Sequence, residues 1–119
     1  MEETEGVYVM RVASMLSGLH PQTLRKYERA GLLSPSRSNQ LRMYSEEDIA
    51  RLRVIKHLVD HAKLNLAGVD LALRLRDSIL NMKREMSRAG LGPATEKRLV
   101  RMLDDMLDML GVFGLEGSD

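Results

Sequence analysis

Basic side chains are concentrated between Val7 and Tyr44, where they outnumber the acids six to one and give a net charge of +5. By contrast, the segment from Asp104 to Asp119 carries five acids and no base. The whole chain of 119 residues has a net charge of only +1, so its charge is segregated along the sequence. A basic head and an acidic tail suit a protein that binds a polyanion such as nucleic acid at one end only.

The side chains of residues 20–27 have the chemistry that recognises base pairs in the major groove of DNA. Gln can bond bidentately to adenine and Arg to guanine, whereas Lys and hydroxyl groups suit phosphates. In a helix-turn-helix, the second helix presents its N-terminal residues to the base edges. The alternative interpretation is a solvated amphipathic helix whose charges only confer solubility. The predicted DNA-binding residues of this helix are His20, Gln22, Thr23, Arg25, Lys26 and Tyr27.

Two short helices and a tight turn are predicted to position these side chains. The apolar positions of residues 12–16 have helical spacing, and Gly18 ends that helix. Pro21 suits the first turn of a second helix, which Gly31 ends with a left-handed cap. Before both helices, residues 7–9 are β-branched and aromatic, which predicts a short strand.

A polar loop rich in turn-forming residues follows the second helix, from Leu32 to Gln40. Residues 41–44 are predicted to return as a strand, so that loop and strand form a hairpin. We expect this hairpin to act as a wing that forms a second DNA-contacting surface. Its basic residues would contact the flanking DNA backbone or the minor groove. The predicted DNA-binding residues of the wing are Arg37, Arg42 and Tyr44.

The second half of the chain is predicted to be helical and to pair within one subunit or between two. Ser45 precedes three acids, which is a helix-start signature, and Asn65 can cap a further helix. Residues 90–93 interrupt the pattern before a last helix that runs from Ala94 to about Gly111. Apolar residues on these last two helices step by 4, 3 and 4 residues, which is typical of helix pairing. The predicted dimerisation residues are Leu75, Ile79, Met82, Met86, Leu99, Leu103, Met106 and Leu110.

Composition excludes several other kinds of site. The chain has no cysteine, which rules out disulfides and thiol-based metal or redox sites. No apolar run approaches the roughly 20 residues of a membrane span, and no secretory signal is recognisable. We therefore expect a cytoplasmic protein that is associated with the nucleoid when bound to DNA. No nucleophile motif or phosphate-binding loop is present, so we predict neither an enzyme nor a bound cofactor.

Two histidines need separate consideration because their spacing occurs in metal sites. His57 and His61 lie four residues apart, which places both imidazoles on one helix face. The sequence offers no other obvious ligand beside them, so surface or interface histidines are the favoured interpretation and no metal site is predicted.

These motifs occur in the order and at the spacing of a known family. The chain resembles the MerR family of bacterial transcription regulators over roughly residues 7–75. Within that family, residues 18–28 are most similar to the heat-shock repressors. The segments that carry the resemblance are Thr23 to Glu28, Gly31 to Pro35, Arg42 to Ile49, and Asn65 to Val69.

The resemblance implies a mainly α fold, with a winged helix-turn-helix domain followed by C-terminal dimerisation helices. It implies a homodimeric repressor that binds a palindromic operator, an inverted repeat upstream of chaperone genes, with a DnaK-type chaperone as co-repressor. Lys56 matches a basic position that contacts DNA phosphate in relatives. The candidate docking segment for the chaperone is the tail from Leu110 to Asp119, with its apolar stretch Val112 to Leu115. The expected organisation is an acidic extension at 1–6, the winged domain at 7–75, a dimerisation region at 76–111 and an acidic tail at 112–119.

The chain departs from the family pattern in two places, and three other functions fit parts of it. The wing lacks the glycines usual at its tip, and residues 90–93 interrupt a helix that often continues in relatives. A ligand-responsive activator of the same fold would need a sensor pocket. An architectural DNA protein of the excisionase type would share the winged helix but is typically shorter. A protein-interaction module would use the same helices without binding DNA.

Overall fold

The structure, a computed structural model, describes residues 5–111, and this range contains three strands and five helices. The mainly α winged helix-turn-helix fold with C-terminal helices is confirmed. No helix within the described range is long and apolar enough to cross a membrane. The elements are β1 (Gly6–Val9), α1 (Met10–Ser17), α2 (Pro21–Arg29), β2 (Ser36–Ser38), β3 (Leu41–Ser45), α3 (Glu46–Asp60), α4 (Leu66–Arg88) and α5 (Pro93–Met109).

A three-residue turn joins α1 to α2 and fixes the angle between them. Gly18 ends α1 with a φ of 72°, a left-handed conformation that glycine adopts without steric cost. Its N–H donates to the carbonyl of Ser14 at 2.9 Å. His20 caps α2, since its Nδ1 accepts a hydrogen bond from the N–H of Gln22 at 3.0 Å, and Pro21 occupies the first helical position. The sequence predicted both helix ends correctly.

The three strands form one antiparallel sheet in the order β1-β3-β2, in which β2 and β3 are the predicted wing hairpin. The tip consists of Asn39 and Gln40, whose φ angles are 51° and 67°. Positive φ at both central residues is the geometry of a type I′ turn, which suits the twist of a two-residue hairpin. The hairpin therefore closes without the tip glycines of the family, and Gln40 adopts a conformation that glycine would adopt more easily.

Side-chain caps begin both long helices of the domain, as predicted. The Ser45 hydroxyl accepts from the N–H of Asp48 at 2.9 Å, and the Asp48 carboxylate accepts from the N–H of Ser45 at 2.9 Å, so α3 opens with a capping box. Asn65 accepts from the N–H of Gly68 at 2.8 Å and caps α4. α4 continues without a break through residue 75, where a domain boundary was expected.

One aliphatic core joins the winged domain to the C-terminal helices. α3 packs against α1, β3 and α4, and α5 packs against α4. This core is built mainly from leucine, isoleucine and valine. Its buried side chains include Leu24, Leu52, Ile55, Leu73, Leu103 and Leu107.

α4 and α5 form a helical hairpin within one chain, and this corrects part of the predicted dimer interface. Ile79 and Leu103 are buried inside the chain. Met86 and Leu110 also pack against its core. The physical reason is the turn at residues 89–92, which lets α5 fold back along α4 so that part of each apolar seam is covered within the chain.

The outer face of this hairpin carries large apolar side chains that remain exposed. Three of them lie on α4 at spacings of 4 and 7 residues, and three lie on α5 at spacings of 4 and 3 residues, so each set shares one helix face. Leu75, Met82 and Met106 of the predicted dimerisation residues belong to this surface, whereas Leu99 is partly buried. We call it the apolar stripe, and it consists of Leu71, Leu75, Met82, Met102, Met106 and Met109.

Candidate nucleic-acid interface

The recognition surface of α2 is formed by the side chains that point away from the core. Gln22 and Lys26 are exposed, and Thr23 and Arg25 are partly exposed. His20 is exposed as well, although its Nδ1 is occupied by the helix cap. Five of the six predicted contacts on this helix therefore have accessible surface.

The two tyrosines predicted to contact DNA lie in the core instead. Tyr27 is 5% exposed and Tyr44 is 0% exposed. Tyr27 follows Leu24 by three residues, so both point to the inner face of α2. Tyr44 lies on the central strand, paired with Tyr8 of β1. This burial corrects the prediction that their hydroxyls face DNA. Both rings instead pack in the core beneath α2 and β3.

The pKa values of these two phenols are raised, chiefly by their burial. Burial raises the pKa of Tyr27, and the carboxylate of Asp60 raises it further. Burial likewise raises the pKa of Tyr44, with Glu28 acting in the same direction. Both phenols are therefore neutral at physiological pH, and the Tyr44 hydroxyl has no hydrogen-bond partner among residues 5–111.

An ion pair ties the wing to the recognition helix. Arg42 Nε of β3 lies 2.5 Å from Oε1 and 3.0 Å from Oε2 of Glu28 on α2, and both side chains are partly buried. Arg42 is directly opposite Arg37 in the hairpin register. Like charges opposite each other destabilise a sheet, and Glu28 neutralises one of them. Arg37 remains exposed, so the two wing arginines that sequence grouped together have different surroundings.

A third charged surface lies along α3, beside the helix-turn-helix. Lys56 Nζ pairs with Asp60 at 2.9 Å, and its aliphatic stem lies beside Gly18 of the turn. Arg53 donates to the carbonyl of Leu16 at 3.2 Å, which holds the end of α1. These groups border an open cleft of about 290 Å³, which we call the α3 cleft and which is lined by Arg53, Lys56, His57, Asp60 and His61.

The cations around the α3 cleft keep Asp60 ionised. The hydrogen bond from Lys56 holds the pKa of Asp60 below its usual value, and the nearby His61 and Lys63 also lower it. The rings of His57 and His61 lie 5.0 Å apart between centroids, as their spacing predicted. Within the described range, however, no group of three or more His, Cys, Asp or Glu side chains is arranged to hold a metal ion.

Arg76 is a structurally important residue that the sequence analysis did not single out. It is 1% exposed, although it carries a full charge. Its Nη1 lies 3.1 Å from Asp77 and its Nη2 lies 3.4 Å from Glu47 at the start of α3. A signal was present in the sequence, because Arg76 falls at the helical spacing of the buried residues Val69 and Leu73. The guanidinium thus joins α4 to the DNA-binding domain.

An exposed recognition helix behind a tight turn, a basic hairpin wing and flanking cations on α3 define a winged helix-turn-helix DNA-binding protein. The chain belongs to the MerR family, since residues 8–75 match the model of the MerR HTH family regulatory protein. It is therefore a DNA-binding transcriptional regulator.

Two relatives agree with this assignment. The chain is 41% identical over 102 residues to a Streptomyces coelicolor protein that bears the name heat shock protein HspR, and the match covers 82% of this chain and 68% of that protein. It is 46% identical over 54 residues to an uncharacterized HTH-type transcriptional regulator of Synechocystis, a match that covers 44% of this chain and 39% of the relative. The chain is thus a MerR-family regulator close in sequence to an HspR protein.

The ion pair between Glu28 and Arg42 is expected to stabilise the wing measurably. In a double-mutant cycle with Glu28→Gln and Arg42→Gln, we expect a coupling free energy of about 1 kcal/mol, because the charge-assisted bonds are partly shielded from solvent. Urea unfolding of the four proteins measures it. The control cycle uses the exposed pair of Asp70 and Arg74, for which we expect about 0–0.5 kcal/mol. Equal coupling in the two cycles would show that Glu28 does not hold the wing.

Proposed function

We propose that this regulator represses heat-shock genes, chaperone genes among them, by binding an inverted repeat as a homodimer. The observation that carries the proposal is the length of the match to the HspR protein. Its 102 aligned residues cannot fit within residues 1–75, so the similarity extends from the winged domain into the α4–α5 hairpin. The part of the chain that would determine dimerisation and regulation is therefore similar as well.

The apolar stripe supports the dimer in this proposal. Six large exposed apolar side chains, three on a face of α4 and three on a face of α5, are costly to leave in water, and a second copy would cover them. A two-fold axis through the stripe would place two copies of α2 on one duplex, about 34 Å apart in successive major grooves. The operator would then be a palindrome, and blocking of polymerase or distortion of the promoter would account for repression.

The dimer is tested by placing a charge within the stripe. Met106→Glu is expected to raise the dimer dissociation constant on the order of a hundredfold, because an unpaired carboxylate would be buried between subunits. Sedimentation equilibrium measures the change. The matched control is Met15→Glu, which alters an exposed methionine on α1 outside the stripe. A Met106→Glu protein that dimerises as tightly as the control would exclude the stripe as the interface.

The regulatory part of the proposal is tested by selecting bound duplexes from a random pool at fixed salt, with and without a DnaK-type chaperone. A heat-shock repressor should enrich a palindrome, and chaperone should tighten its binding. Enrichment of a palindrome that a small molecule rather than the chaperone modulates would favour the ligand-responsive activator. The proposed chaperone-docking segment, Val112 to Leu115, lies outside the described residues.

A further inference from the structure

Two residues that follow α2, Gly31 and Leu32, close the C-terminal end of that helix. The N–H of Gly31 donates to the carbonyl of Glu28 at 3.0 Å, and the N–H of Leu32 donates to the carbonyl of Tyr27 at 3.0 Å. With Gly31 at a φ of 79°, this is a Schellman motif, which satisfies carbonyls that the last turn of a helix leaves unpaired. Leu32 is 2% exposed, so the motif anchors the end of α2 in the core.

The carbonyl of Leu32 is held in turn by Arg51 of α3. Arg51 donates from Nε to this carbonyl, which lies 19 residues earlier in the chain. Its Nη1 lies 3.1 Å from Oδ1 and 3.2 Å from Oδ2 of Asp77 on α4. Because a guanidinium is planar and rigid, a bond at one nitrogen restricts the direction in which the others point. Asp77 therefore orients the donor that holds the end of α2.

Asp77 also belongs to a larger ion-pair network between α4 and α3. Its Oδ1 lies 3.1 Å from Nη1 of Arg76, whose Nη2 lies 3.4 Å from Glu47 at the start of α3. The side chain of Arg76 is 1% exposed, whereas those of Arg51 and Asp77 are 20% and 51% exposed. The network is thus anchored on its buried side and open to solvent at Asp77, where a substitution can change the link without opening the core.

We propose that Asp77 is a positioning residue for DNA binding, which acts through Arg51 and Leu32 to hold the C-terminal end of α2. The orientation of α2 then depends on α4, the first helix of the C-terminal hairpin. Loss of the link lets the end of α2 move, so a smaller fraction of the protein presents its exposed side chains in the geometry that DNA requires. The inference rests on the proposed entry of α2 into the major groove, and not on the dimer or on the regulated genes.

The link is tested without DNA by amide hydrogen exchange. In Asp77→Asn, the amides of Gly31 and Leu32 are expected to exchange about threefold to tenfold faster, because the helix end opens more often. Amides at the centre of α3, residues 52–55, should change much less. The matched control is Asp70→Asn, which removes an exposed aspartate that pairs with Arg74 on the same helix. Equal exchange at Gly31 and Leu32 in the two variants, or an equally large rise at residues 52–55, overturns the proposal.

The consequence for DNA binding is tested by a double-mutant cycle in affinity. Asp77→Asn and Arg51→Lys are each expected to weaken binding about threefold to tenfold, and the double variant no more than either alone, because all three lack the same link. Lysine keeps the positive charge of Arg51 but lacks its planar fork. Asp70→Asn controls for the lost negative charge. Fluorescence anisotropy with the duplex that the random pool enriches most measures the affinities.

Two results of this cycle would contradict the positioning role of Asp77. The first is an Asp77→Asn protein that binds DNA as tightly as Asp70→Asn, and the second is a double variant in which the two losses add. The repressor proposal is decided separately, by whether the enriched duplex is a palindrome. The exchange measurement needs no DNA, so it decides whether Asp77 holds the end of α2 whatever the pool selects.

Discussion

Arg76→Ala is expected to lower the free energy of unfolding by about 3 kcal/mol. The substitution removes a large side chain that is 1% exposed at the contact between α3 and α4, and with it the bonds to Glu47 and Asp77. Both carboxylates have access to solvent and can be hydrated again, so the cost comes from lost packing and lost bonds. Urea unfolding followed by circular dichroism measures it as a lower midpoint at unchanged slope.

A residue on the same helix provides the matched control for this prediction. Arg74 is also paired with an aspartate, Asp70, at 3.1 Å, but its side chain is 76% exposed. Arg74→Ala should therefore change the free energy of unfolding by less than about 0.5 kcal/mol. Arg76→Met should recover a large part of the loss, because its chain refills the space without a charge to desolvate. Similar losses for Arg74→Ala and Arg76→Ala would mean that burial of the guanidinium contributes nothing.

The elements that depend on local chemistry were predictable from the sequence. Helix ends follow from residues that satisfy nearby backbone groups, and Ser45 and Asn65 cap the helices that they were expected to cap. The turn before α2 needed only Gly18 and Pro21 to be recognised. The exposed face of α2 was predictable in part, since a helix of known start and period has a defined outer face, although Tyr27 was wrongly assigned to it.

What depends on tertiary surroundings was less predictable. Residue type suggested that Tyr27 and Tyr44 present hydroxyls to DNA. Aromatic rings are, however, also the largest side chains that can fill the core, and this chain has few aromatic residues. Arg42 was predicted only as a DNA-binding residue of the wing, because nothing in its sequence neighbourhood shows that Glu28, 14 residues earlier, lies against it. Contacts of this kind are set by how the hairpin docks on α2.

The heptad-like seams show a different limit of sequence analysis. Periodicity indicates that a helix face is covered but does not identify the helix that covers it. Ile79 and Leu103 satisfy the pattern inside one chain, whereas Leu75, Met82 and Met106 follow the same steps and remain exposed. The same spacing is compatible with burial within one chain and with exposure at its surface. Which of the two a residue has depends on the fold-back at residues 89–92.

Arg25→Ala is expected to weaken binding to the operator by about 1–3 kcal/mol, roughly fivefold to 150-fold, and to relax base preference at the position that it contacts. Arg25 is partly exposed on the outer face of α2, where a guanidinium can bond bidentately to guanine. Binding to random duplex should change far less, because non-specific affinity depends on phosphate contacts. Fluorescence anisotropy with operator and random duplexes over a salt series measures both affinities.

The neighbouring residue provides the contrasting variant. Lys26 is exposed on the same helix, and its ammonium group suits a phosphate rather than a base. Lys26→Ala should therefore weaken binding to operator and random duplex by a similar factor and reduce the salt slope by about one. If Arg25→Ala also lowered both affinities equally and left base preference intact, Arg25 would be a backbone contact, and recognition of the operator sequence would have to come from other side chains, with Gln22 the first to test.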